Sequence, residues 1–191
     1  MWAGVDVGGR RKGFHVAVVD ERRLIAGPTR VAEPAEVAEL LRSRRAVLVA
    51  VDSPLSAAPH GLRSREAERK LVLAKVCGIR YTPDEAGLGA NPSYYEWITR
   101  GFELYRELRA AGLETIECYP TASWTRWSGL KGNRTRAAWT RAALADRGLD
   151  DLPARLGQDD RDAIAAALTA RAHARGETEA FGEIVVPVSP R

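Results

Sequence analysis

Ala46–Val51 is an unbroken apolar run that stops at Asp52-Ser53-Pro54. Helical periodicity comes just before it. Pro34 suits a first helical position, and Val37, Leu40 and Leu41 fall at i, i+3 and i+4. A short, fully apolar run between helices reads as a central strand buried on both faces. Such a strand needs helices above and below its sheet, so the chain is expected to be α/β.

The segments on either side extend this reading. Trp2–Val7, Phe14–Val19 and Leu24–Val31 are β-type runs joined by short turns, which predicts a three-stranded antiparallel meander. After the central strand, Ser64–Val76 reads as a helix. Cys77–Pro92 is rich in Gly and Pro, lacks periodicity and reads as a loop. Helices are expected over Ser93–Ala111 and Asp159–Arg175, and over parts of Trp124–Ala145 interrupted at Gly129–Gly132. Glu114–Tyr119 reads as a strand closed by Pro120, and Ile184–Val188 as a last strand or tail. No linker divides the chain. The expectation is one domain over residues 1–191, a mixed sheet with a helical insertion at about 60–112.

Composition excludes several classes. The chain has 191 residues, 45% hydrophobic and 28% charged, an ordinary globular mix. No apolar run approaches the roughly 18 residues of a spanning helix, so no membrane partner is expected. Asp6 and Arg10-Arg11-Lys12 fall where a signal peptide would need its apolar core, which points to the cytoplasm. Two cysteines, Cys77 and Cys118, provide no disulfide framework, and no His-x-x-x-His pair suggests zinc.

Several acids sit in apolar settings, where charge is costly. Asp6 lies within Gly4-Val5-Asp6-Val7-Gly8, Asp52 ends the central strand, and Glu117 lies in Thr115-Ile116-Glu117-Cys118-Tyr119. Asp159, Asp160 and Asp162 open the Ala-rich helix, with Asp159 and Asp162 on one face. Strand-end carboxylates gathered from several strands suit Mg²⁺ or Mn²⁺, which take hard oxygen ligands. Each acid also has a plainer explanation: turns for Asp6 and Asp52, an outward strand position for Glu117, a helix cap for Asp159.

Taken in order, Gly4-Val5-Asp6-Val7-Gly8-Gly9, Val51-Asp52-Ser53-Pro54 and Asp159-Asp160-Arg161-Asp162-Ala163 resemble the ribonuclease-H-like superfamily. The late helix looks most like that of Holliday-junction resolvases. The whole chain resembles an uncharacterised bacterial and archaeal group of predicted nucleases with an RNase H fold. Further matches to that group are Arg65-Glu66-Ala67-Glu68-Arg69, the stretch Trp97 to Leu108, Ile116-Glu117-Cys118-Tyr119-Pro120-Thr121-Ala122 and Ile184-Val185-Val186-Pro187. The resemblance implies a five-stranded mixed sheet whose first three strands are antiparallel. It implies that Asp6, Asp52, Asp159 and Asp162 are catalytic metal ligands, and Glu117 joins them because it abuts a strand end in a matched motif. RNases H add an acid from the first helix; Glu36 or Glu39 would occupy that place here, but both read as acids of a solvated helix face, a departure from the pattern.

The net charge is +4, and all cations except Lys12, Lys70, Lys75 and Lys131 are arginine. Residues 119–145 carry +5 and residues 146–162 carry −3. A basic stretch interleaved with Trp124, Trp127 and Trp139 therefore precedes the acidic helix, as a groove that tracks and stacks nucleic acid requires. Arg65, Trp124, Arg126, Lys131, Arg134 and Arg136 are the expected nucleic-acid contacts. Solvated helix faces and core tryptophans explain the same pattern without a ligand. The expected function is a two-metal nuclease, a hydrolase that cleaves DNA or RNA phosphodiester bonds with Mg²⁺ or Mn²⁺. Asp6 would bridge the ions, and a homodimer is plausible by analogy with resolvases. The alternatives are a non-catalytic nucleic-acid or protein interaction module and an ATP-binding protein of the actin-like fold.

Overall fold

The computed structural model describes residues 1–189. Its elements in chain order are β1 (Trp2–Val7), β2 (Phe14–Val19), β3 (Leu24–Val31), α1 (Pro34–Ser43), β4 (Leu48–Asp52), α2 (Glu66–Leu73) and α3 (Glu85–Ala90). There follow α4 (Glu96–Ala110), β5 (Thr115–Cys118), α5 (Pro120–Ser128), α6 (Arg136–Ala145), α7 (Gln158–Ala174), β6 (Thr178–Phe181) and β7 (Ile184–Pro187).

The strands form one mixed sheet in the order β3-β2-β1-β4-β5-β7-β6. β1, β2 and β3 pair antiparallel, while β1–β4, β4–β5 and β5–β7 pair parallel. The meander and the central strand stand where the sequence places them, and β1–β5 form the mixed sheet that the resemblance implies. The sheet has seven strands rather than five, because the β6–β7 hairpin extends it beyond β5. Thr178–Phe181 has no apolar run to announce it. Its signal is Gly182 at φ +66°, which turns the chain back onto Ile184.

Helices cover both faces. On one, Val5, Val7, Val16, Val49 and Val51 pack against Val37 and Leu41 of α1 and Leu104 and Leu108 of α4. On the other, Ala17, Val19, Ala50 and Cys118 meet α7, with Trp124 of α5 and Trp139 of α6 closing over it. α7 is buried on all sides from Arg161 to Ala170, so its apolar residues form no stripe. The segment Cys77–Pro92 contains the short helix α3, which two glycines hid from periodicity. Asp84 caps it by accepting a hydrogen bond from the Gly87 amide at 2.9 Å. Among the described residues no helix is long and apolar enough to cross a membrane.

α7 lies directly on β1 at Gly4. A Cβ there would run into the α7 backbone at the Ala163 carbonyl and the Ala167 amide. Neither is a flexible side chain that can swing away, so Gly4→Ala is expected to cost about 3 kcal/mol through overpacking. Gly78→Ala, with nothing near its Cβ, should change stability by less than about 0.5 kcal/mol. Urea unfolding of both variants checks the contrast.

Candidate functional site

β1 and β4 run parallel with Asp6 opposite Asp52, and β2 places His15 opposite Asp6. Partners in register share a face, so all three side chains look toward α7. The first two turns of α7 add Asp159, Asp160 and Asp162.

Asp6 and Asp52 are close enough to share a proton. Burial first, then the charges of Asp162 and Asp159, push the Asp6 carboxyl up to about 8 against the opposing pull of Lys12. Burial, then Asp6 and Asp162, hold Asp52 well above the usual carboxylate range, with Arg136 opposing. Two close carboxylates that have lost water cannot both stay ionised, so the pair retains a proton near neutral pH.

The surrounding acids are held by internal donors. Asp162, itself buried, accepts from Trp124 Nε1 at 2.7 Å, Arg136 Nη2 at 2.9 Å and Gln158 Nε2 at 3.0 Å. Lys12 Nζ donates to Asp159 at 2.9 Å. Asp160 bonds His15 Nδ1 at 2.8 Å and accepts from the Gly157 amide at 2.7 Å, which makes it, rather than Asp159, the acid that closes the helix start. His15 and Lys12 were not anticipated at the site. The signal for Lys12 was its hairpin, three consecutive cations between glycines that begin directly after Asp6-Val7. Arg30 braces that hairpin by donating to the Arg11 and Lys12 carbonyls, each at 2.6 Å.

Glu117 is not brought to this cluster. Its register partner is Val51, so it looks toward the α4 face, and Cys118 occupies the α7 face instead. There the Glu117 carboxylate receives both Arg65 Nη atoms and the Leu55 amide, the last at 2.7 Å. A single residue along a strand reverses the face, and that decides against Glu117 as a metal ligand. Glu36 and Glu39 are also remote. Their helix, α1, packs on that opposite face, and Glu36 caps its own helix start at the Glu33 amide.

The expected nucleic-acid contacts divide. Arg65 is buried, and its guanidinium is engaged by Glu117 and Glu68, so it is not a phosphate contact. Trp124 is fully buried with its indole N–H on Asp162, so it cannot stack on a base. Arg126 pairs with Glu179. Arg136 pairs with Asp162 but stays partly exposed. Lys131 and Arg134 are exposed in the turn between α5 and α6, where they donate to nearby carbonyls, Arg134 Nε to Lys131 at 3.0 Å.

Among the described residues no three His, Cys, Asp or Glu side chains converge closely enough to enclose an ion as they stand. The donor chemistry of Asp6 and Asp52 nevertheless suits a hard divalent cation. Mg²⁺ is commonly bound by one or two carboxylates, with water and substrate phosphate completing its shell.

The family model described as "Protein of unknown function (DUF429)" matches residues 4–185. The chain belongs to this family. No curated protein matches it. Among solved structures, the Thermus thermophilus RuvC structure is 22% identical, covering 91% of this chain and 95% of that one, with a TM-score of 0.46. T. thermophilus RuvC in complex with Holliday junction substrate is also 22% identical, covering 93% and 96%, with a TM-score of 0.48. The strand directions of β1–β5 and the helices on both faces make this an RNase-H-like α/β fold.

Two predictions follow from these contacts. Arg65→Ala leaves Glu117 and Glu68 buried without their cation and should cost about 3–5 kcal/mol in denaturant unfolding. A surface phosphate contact at that position would leave stability unchanged. The second concerns Asp6, whose carboxyl rises from 3.8 to about 8 on folding. Folding then takes up a proton, so the contribution is complete below about pH 4 and is lost as pH climbs through 8. In chelator, Asp6→Asn should therefore be more stable than the parent at about pH 8, and the gap should narrow toward about pH 4. Parallel melting temperatures across that range would contradict it.

Proposed function

We propose that this protein is a divalent-metal-dependent nuclease that hydrolyses phosphodiester bonds. The observation that carries the reading is the Asp6–Asp52 pair, in register on adjacent parallel strands, with Asp162 and Asp159 close enough to raise its proton affinity. Such a cluster is electrostatically costly without a cation, and a divalent ion relieves that cost.

Asp6 and Asp52 would hold the ion. Asp162 is the candidate third ligand, and Arg136 is the internal cation it would exchange. When bound, Mg²⁺ or Mn²⁺ would supply Lewis acidity toward the phosphate and ease deprotonation of the attacking water. Asp6 and Asp52 must give up their shared proton before they bind, so loading is favoured as pH rises. Asp160 fixes the His15 imidazole at the edge of the cluster. Arg10, Arg11 and Lys12 form an exposed basic hairpin beside the carboxylates. Backbone contact from such a hairpin would orient a strand without reading its sequence. It takes over the role first expected of Arg65 and Trp124, with Lys131 and Arg134 as a second exposed group.

A second reading has one observation in its favour: Lys12 and Arg136 already neutralise Asp159 and Asp162. Under it the carboxylates are structural, and the chain is a non-catalytic nucleic-acid or protein interaction module. The two readings separate on a panel of single-stranded, duplex, hybrid and branched DNA and RNA. The nuclease reading expects cleavage that requires Mg²⁺ or Mn²⁺ and falls on the order of a hundredfold or more in Asp6→Asn and Asp52→Asn. Calorimetry should show Mn²⁺ binding that both variants lose. Nucleic-acid binding indifferent to EDTA, with no form cleaved, would establish the module instead.

A further inference from the structure

Beyond the carboxylate cluster, a small cavity, partly open to solvent, lies against the ends of β4 and β5. Asp52 lines it, so it adjoins the candidate site, yet most of its wall comes from other elements. We propose that it is a nucleobase pocket, which makes the substrate of the proposed nuclease a strand presenting an unstacked base. The inference rests on the nuclease reading for its biological sense, though not for its chemistry.

The lining argues for a flat, neutral occupant. Pro54, Ile79 and Cys118 are apolar, while Trp97 and Tyr119 are half-buried aromatics able to stack. The floor is the buried ion-pair network of Arg65, Glu117 and Glu68. With Asp52, three carboxylates face the space against two cations, Arg65 and Arg80, and Arg65 is already engaged by two of the three. A phosphate or carboxylate would enter against that charge, whereas a base carries none.

The floor also offers a hydrogen-bond position. Glu68 Oε1 and Oε2 each receive two donors, from Arg65 and Thr82. Glu117 Oε2 receives Arg65 and Leu55, but among the described residues Oε1 receives only Arg65 Nη2, which leaves a lone pair for a base N–H. Arg80, the second cation of the lining, lies on its exposed side. Arg80 is exposed and stacked over Tyr94 at 5.1 Å, placed for the phosphate flanking an inserted base. The Arg10 amide donates to Glu96 at 3.0 Å, which ties the basic hairpin to the residue before Trp97. Backbone contacts outside and a base inside follow the division of labour of enzymes that bind an extruded nucleotide.

The test compares two oligonucleotides that differ only in having guanine or an abasic residue at one unpaired position. Binding is measured by fluorescence anisotropy in Ca²⁺. The full-length protein should prefer the guanine form about tenfold or more, as expected for one stacked base. Ile79→Trp, which fills the cavity, should remove the preference while leaving Mn²⁺ binding by calorimetry intact. Trp97→Ala, at the rim, should reduce the preference without refilling the interior. Equal binding of the two oligonucleotides by the parent, or an undiminished preference in both variants, overturns the pocket. The two proposals fail separately. Metal-dependent cleavage without base preference would leave the nuclease and remove the pocket. Guanosine protecting Cys77–Cys118 amides from hydrogen exchange, with no nucleic acid cleaved, would leave the pocket and remove the nuclease.

Discussion

The approach of α7 to β1 organises this molecule. Gly4 removes the one side chain that would hold the helix off the strand, and Ala163, Ala166 and Ala167 keep the helix thin where it lands. The contact is backbone against backbone, so it fixes both the height and the register of α7 over the sheet. Once that register is set, the first turns of α7 carry Asp159, Asp160 and Asp162 over the ends of β1, β2 and β4. The carboxylate cluster thus depends on a glycine and three alanines that bear no chemistry of their own.

Holding like charges together has a cost, and the surrounding residues show how it is met. Lys12 on the β1–β2 hairpin answers Asp159, and Arg136 at the start of α6 answers Asp162. Among the described residues Asp6 and Asp52 form no ion pair, and burial with their acidic neighbours keeps a proton on the pair instead. The cluster therefore has two kinds of neutralisation, by protein cations at its edge and by protonation at its centre. A divalent ion competes with both. The exposed Lys12 ion pair contributes little stability and yields easily, while the buried Asp162, held by Trp124, Gln158 and Arg136, yields least.

Much of this was readable before any coordinates. The apolar run before Asp52 and the periodicity around it fixed the central strand and the helices on both faces, because a two-sided burial pattern has few solutions. Asp6, Asp52, Asp159 and Asp162 stood out for their settings, and the fold gathers them on one side of the sheet. Glu117 stood out equally and belongs elsewhere. Its strand is short and buried on both faces, so composition held no hint of which way each residue points. The basic stretch misled for a related reason. Charge counted along the chain cannot distinguish Arg136, which reaches back to Asp162, from Arg134, which donates to the carbonyls of its own turn. Arg65 illustrates the limit best, because its partner Glu117 is 52 residues away in sequence.

The misplacement of Glu117 also changes what β5 means for function. Cys118 and Glu117 face opposite ways, so β5 contributes a small apolar wall to the α7 side and a buried acid to the α4 side. Asp52, one strand over, stands where these two environments meet, next to Asp6 and at the lip of the cavity. The Ser53 carbonyl, immediately after it, is held by the Tyr105 hydroxyl at 3.0 Å, and α4 can approach that close because Gly101 has no side chain to meet Ser53. The position of Asp52 is therefore set from both faces of the sheet, by α7 through β1 and by α4 through Ser53. A residue so constrained cannot shift without disturbing the acids on one side or the cavity on the other, so the proposed metal site and the proposed base pocket share one backbone position.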